Sequence, residues 1–149
     1  MAEVHSGSCL CGAVRYEVRG PLRDSIACHC SQCRKTSGHY WSATRAKTAD
    51  LHLLEERGLR WFRSSAVARR GFCQHCGSSL FWRPEGADTT SIGSGTLDTT
   101  TGMKTIRHIH VADKGDYVYI APGVAQWPQD SPSQEGEPGF SQTPRPPPP

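Results

Sequence analysis

Residues 8–21 read SCLCGAVRYEVRGP, two closely spaced cysteines running into a strand pattern. In the second half, Val14, Tyr16 and Val18 alternate with Arg15, Glu17 and Arg19. A period of two marks a β-strand with one apolar face. Gly20-Pro21 stops it. In the first half, Cys9 and Cys11 are followed at once by Gly12. Thiolates two residues apart reach one metal ion when the backbone turns tightly, and glycine permits that turn, including positive φ.

The same grammar continues downstream. Strand-like pieces occur at 40–43, 51–54, 59–63, 67–72, 79–82, 89–94, 103–111 and 117–120, with Gly, Pro, Asp or Ser between most of them. No window sustains an apolar stripe of helical period. The one expected helical turn lies around 31–36, ended by Gly38. Many short strands predict a mainly β fold of small antiparallel sheets. Residues 1–8 read as a loose lead-in. From Pro128 the composition shifts to Pro, Ser, Gln and Gly, with Phe140 as the single large apolar residue. Such a segment buries too little surface to offset its ordering entropy. The expected organisation is one zinc-binding domain over 1–127 and a Pro-rich disordered tail over 128–149.

Composition narrows the function classes. Basic and acidic residues number 17 and 14, for a net charge of +3. They are interspersed, without a block of about five or six like charges, so no nucleic-acid arm or membrane patch is expected. No apolar run approaches the roughly 20 residues that span a bilayer. The first residues show no secretory pattern. The expected location is cytoplasmic, where clustered cysteines are metal ligands more often than disulfides. Seven cysteines also cannot all pair.

Those seven fall into three groups: Cys9 and Cys11; Cys28, Cys30 and Cys33; and Cys73 and Cys76, followed at once by Gly77. A C-x-C and a C-x2-C together supply four ligands from distant segments, which suits a closed structural zinc site. The C-x-C-x2-C supplies three from one loop and leaves a fourth position open, the pattern of a catalytic zinc. A three-thiolate shell weakens the Lewis acidity of the metal and favours binding a substrate thiolate over making hydroxide. A disulfide framework, an iron–sulfur cluster and a purely structural double-zinc module are the alternatives. The last would need His29, His75 or another group to complete the second site. His29 lies between two ligand cysteines, where geometry points it away from their metal.

Four stretches, SCLCGAVRYEV (8–18), CHCSQCRKTSG (28–38), FCQHCGSSLFW (72–82) and HIHVADKGDY (108–117), with GTLD at 95–98, resemble the glutathione-dependent formaldehyde-activating enzymes, the CENP-V/GFA domain family. The resemblance spans about residues 5–127. It implies an Mss4-like fold of β-sheets stapled by zinc, and two Zn2+ per chain. It implies that Cys9, Cys11, Cys73 and Cys76 hold the structural ion, and that Cys28, Cys30 and Cys33 hold the catalytic one. It further implies a carbon–sulfur lyase that condenses formaldehyde with glutathione, the small-molecule thiol partner. A non-catalytic zinc β-domain acting as a binding module is the alternative.

Other residues give weaker signals. Beyond the open-site loop, His39, Tyr40 and Trp41 suit a pocket wall or ordinary strand packing. His108 and His110, two apart on a strand pattern, share one face, and a solvated face is expected. Arg34 and Lys35 suit either a substrate carboxylate or the surface. Trp61, Trp82 and Trp127 are expected in the core or at its edge. No Ser-His-Asp pattern, phosphate-binding glycine loop or paired-carboxylate spacing occurs.

Overall fold

The computed structural model describes residues 3–98 and 100–132. Eleven strands and one short α-helix follow in chain order: β1 (Val4–Ser8), β2 (Arg15–Arg19), β3 (Ser25–Cys28), α1 (Ser31–Ser37), β4 (Trp41–Lys47), β5 (Leu51–Glu55), β6 (Leu59–Arg63), β7 (Ala68–Cys73), β8 (Ser79–Pro84), β9 (Thr89–Gly93), β10 (Thr105–Ile109) and β11 (Ala125–Gln126). The strands form a three-stranded sheet, β1-β2-β5, and an eight-stranded sheet, β11-β10-β3-β4-β9-β8-β7-β6.

The mainly β architecture is as expected, with two refinements. The larger sheet is mixed, since β10 runs parallel to both β3 and β11. Strand β3 shows no period of two because its residues are almost all buried in mid-sheet. The loose lead-in is a strand: β1 pairs antiparallel with β2 from Val4–Arg19 to Ser8–Arg15. Its backbone ladder holds it, and its one large apolar side chain, Val4, faces solvent. The expected strand at 117–120 is absent. There Val118 is buried while Tyr117 and Tyr119 are exposed, so the alternation exists without a ladder. The Val118 carbonyl accepts Lys114 Nζ at 2.8 Å instead.

Two cores result. The larger packs Val14 and, from β2, Tyr16 and Val18 against Ala46, Leu80, Phe81 and Ile92 of the large sheet, with Cys9 and Cys73 at its end. The smaller packs Cys33, Trp41 and Ala43 with Trp82, Cys28 and Cys30. On β4, Ala46 belongs to the first core and Trp41 and Ala43 to the second. Odd and even strand positions point to opposite faces, so β4 separates the two cysteine groups.

Past the last strand the chain remains tied to β10. The Gln129 and Pro128 carbonyls accept the N–H groups of His110 and Ala112 at 3.0 and 3.3 Å, and Arg107 Nε donates to Ser131 Oγ at 2.8 Å. The rest of the Pro-rich tail, 133–149, lies outside the described residues. Among the described residues no helix is long and apolar enough to cross a membrane.

Candidate metal centres

The β1–β2 turn carries Cys9 and Cys11, Cys73 ends β7, and Cys76 lies in the turn between β7 and β8. The four sulfurs lie within 4.8 Å of one another. The Cys9–Cys11 and Cys11–Cys73 Sγ separations are both 3.7 Å. A tetrahedron with Zn–S bonds of ~2.3 Å has edges of about 3.8 Å, so the donor set fits zinc. Gly12 (φ 82°) and Gly77 (φ 79°) follow the two cysteine pairs in left-handed conformation, which side-chain-bearing residues rarely adopt. Backbone N–H groups of Val14 and His75 point at the sulfurs of Cys9 and Cys73, at 3.2 and 3.4 Å. The Ser78 hydroxyl lies 3.3 Å from Cys76 Sγ and is the main cause of a thiol pKa lowered to about 5. Such groups favour the charged thiolate. Two backbone bonds brace the junction: Gly58 N–H to the Ala13 carbonyl at 3.0 Å, and Gln74 N–H to the Gly58 carbonyl at 2.8 Å.

The second group is built differently. Cys28 ends β3, Cys30 caps α1, and Cys33 is buried in its first turn. Their sulfurs also lie within 4.8 Å of one another, as a set of three. The Cys33 N–H reaches Cys30 Sγ at 3.3 Å. Hydrogen bonds from the Cys28 and Cys33 thiols hold the Cys30 thiol down to about 2, while the bond to Cys30 pushes Cys28 far up. These contacts favour the thiolate form of Cys30. All seven cysteines are free of disulfides.

His29 stands between these cysteines yet turns away from them, as expected. Its N–H donates to the Ile109 carbonyl at 3.0 Å, and its fully buried ring contacts His108, Nε2 to Nδ1, at 2.8 Å. This corrects the reading of His108 and His110 as a shared solvated face. His108 is buried, and β10 ends before His110, which adopts φ 54°. Burial, then the neighbouring His108, lower the His29 pKa to about 4; burial also lowers that of His108. Tyr40 joins this imidazole pair at 5.1 Å from the His29 ring, and the His39 ring lies tilted against Tyr40 at 4.3 Å. Trp41 alone of its trio packs on the cysteines.

Arg34 and Lys35 fall in the last turn of α1, where cations complement the exposed carbonyls. Trp61 lies under two guanidinium groups, Arg69 at 4.6 Å and Arg83 at 4.8 Å. Trp82 packs in the smaller core, and Trp127 is partly exposed. His75 is absent from both cysteine groups. One neighbour of the trio went unnoticed in the sequence. Arg70 of β7 donates through Nη2 to Cys33 Sγ at 3.5 Å and lies over Trp41, 5.6 Å from its centroid. Nothing in the run Arg69-Arg70 distinguishes these two, because the difference arises from strand register.

The fold and the site define a β-sheet protein with one four-thiol and one three-thiol cluster, each of which could hold a metal ion. The chain belongs to the family described as glutathione-dependent formaldehyde-activating enzyme, whose model matches residues 4–113. A Halomonas elongata protein named "Putative glutathione-dependent formaldehyde-activating enzyme" is 30% identical over 124 residues, covering 76% of this chain and 79% of that one. The crystal structure of a Rhodobacter sphaeroides protein superposes with a TM-score of 0.56 at 23% identity, over 82% of this chain and 98% of the other. That likeness concerns the fold.

Proposed function

We propose that this protein is a zinc-dependent carbon–sulfur lyase-type enzyme that joins glutathione or another thiol to formaldehyde or a related small electrophile. One observation carries the reading. The chain builds a complete four-sulfur cluster and, separately, a cluster of three with no fourth Cys, His, Asp or Glu donor in reach among the described residues. A closed shell is structural, and a shell of three protein ligands leaves room for a substrate. In this reading Cys9, Cys11, Cys73 and Cys76 hold the structural ion, and Cys28, Cys30 and Cys33 the catalytic one. Family membership supports the substrates.

Zinc bound by the trio would supply a positive charge that stabilises a thiolate at neutral pH. The protein's own part is to hold three sulfurs together at the β3–α1 junction. Cys28 is fixed by the β3 ladder, Cys33 by burial in α1, and the Cys30 sulfur by the Cys33 N–H. Trp41 and Trp82 pack against the three cysteines and form one side of the site. In the net reaction the thiol sulfur bonds to the carbonyl carbon, the C=O π bond breaks, and the thiol proton ends on the new hydroxyl. The adduct is a hydroxymethyl thioether.

The test is consumption of formaldehyde with glutathione, followed by NMR of the adduct against its uncatalysed background. An excess rate that disappears in Cys30→Ser is expected. No excess rate with glutathione would exclude that substrate pair, and metal analysis finding one ion per chain would favour the binding-module alternative.

A further inference from the structure

The trio has a neighbour of opposite charge and a cavity beyond it. Arg70 Nη2 lies 3.5 Å from Cys33 Sγ and 3.4 Å from Gln32 Oε1. Its Nε is buried and has no partner among the described residues. The same side chain borders a cavity of about 310 Å³ whose other walls are largely aromatic: Trp41, Phe62, Phe72 and Phe81. Trp41 also packs on the trio. Thr36, another wall residue, donates to the Cys33 carbonyl at 3.4 Å. The cavity and the three sulfurs therefore share Arg70, Trp41 and α1.

Charge gives Arg70 a role. Three thiolates around a divalent cation leave one net negative charge, and a fourth thiolate would raise it to two. A like-charged ligand enters such a shell at lower cost when a cation lies beside it. Arg70 is always protonated and already donates to the shell through Cys33. Size and lining describe the rest of the ligand. The volume is many times that of formaldehyde, and aromatic walls favour an apolar group over a multiply charged one.

We infer that Arg70 and the aromatic cavity beside it form the substrate subsite of the three-cysteine centre, taking an anionic sulfur ligand that carries an apolar body. The subsite rests on the open-centre reading proposed above. Arg70 is its positioning residue, acting through charge, and Phe62 is its outer wall, 61% exposed.

The test uses the full chain loaded with Co2+, whose thiolate charge-transfer bands report a new sulfur ligand without any turnover. Wild-type protein is titrated with mercaptoethanol and with benzyl mercaptan. Burial of the ring should make benzyl mercaptan bind about tenfold or more tighter. Arg70→Met should weaken both thiols by roughly tenfold to a hundredfold, the usual worth of a hydrogen bond to a charged group. Arg70→Lys should recover much of that loss. Phe62→Ala, at a surface position that tolerates truncation, should bring the ratio of the two affinities toward one. Wild-type spectra that no thiol changes would overturn the open-centre reading and this subsite with it. Thiol uptake by wild type, with Arg70→Met unaffected or with no advantage for benzyl mercaptan, would overturn the subsite alone.

Discussion

Replacing Cys73 with Ser should unfold this protein at temperatures where Cys30→Ser leaves it intact. Cys73 is fully buried, and its sulfur lies 3.7 Å from that of Cys11, 62 residues away in sequence. A metal bridging them closes a loop of that length. The chain-entropy expression for a cross-link of this span gives about 4 kcal/mol at 25 °C. A domain of this size has a margin of roughly 5–15 kcal/mol, so most of a small margin would be lost. Ser also leaves a hydroxyl in the end of the larger core, where Cys73 packs with Cys9, Ala13 and Val14. At a few degrees per kcal/mol, the apparent Tm should fall by at least about 10 °C. Cys30 contrasts with it: its partners, Cys28 and Cys33, belong to the same short loop, so the closure term is small. Thermal melts by circular dichroism on reduced, zinc-replete protein compare the two variants. A chelator added to wild type should reproduce the Cys73→Ser melt. Equal losses in Cys73→Ser and Cys30→Ser would refute the division into a stapling site and an open one.

Further outcomes follow from the same geometry. Wild-type protein purified under reducing conditions should contain two zinc ions per chain and Cys30→Ser one, by elemental analysis. Gly58→Ala would set a Cβ 2.7 Å from that of Ala13 and 2.9 Å from Cys73 Sγ. It should cost about 1–3 kcal/mol in urea unfolding and speed zinc loss to a chromophoric chelator. Burial holds the His108 pKa below its usual 6.5, so the unfolded chain binds the proton first. Stability is complete above about pH 6.5 and falls as the pH drops through the imidazole range. His108→Gln should flatten that slope in urea midpoints measured between pH 7 and 5, and an unchanged slope would count against the buried pair.

How much of this was legible in the residues depends on which force shaped each part. Alternation exposed β2, whose apolar side chains build a core, and the bounds of β6 fall at Leu59 and Arg63 as the pattern places them. Strand β1 was hidden because its hydrogen bonds, which leave no trace in side-chain type, hold it. The three cysteine groups were visible because chelation demands short spacing. The glycines after the closed-site pairs were visible because a tight turn demands φ that other residues resist. His108 was misread because alternation cannot tell a strand face toward solvent from one toward a second buried ring. Arg70 was invisible for a related reason. Its meaning lies in the β7–β8 register, which pairs it with Trp82 and so with the smaller core.

That register also accounts for the difference between the two centres. Strand β7 serves both. Its end and the following turn carry Cys73 and Cys76 to the β1–β2 turn, completing four sulfurs from two remote segments. Three residues earlier the same strand presents Arg70 to the trio. There the remote segment contributes a cation that donates to a sulfur, and no fourth sulfur arrives. A fourth cysteine at that place would close the shell and make a second staple. In the proposed reading, a guanidinium there leaves the fourth position free and lowers the cost of an incoming anion. The incompleteness of the trio is thus a property of the fold around it, set by which side chain β7 directs at each cluster.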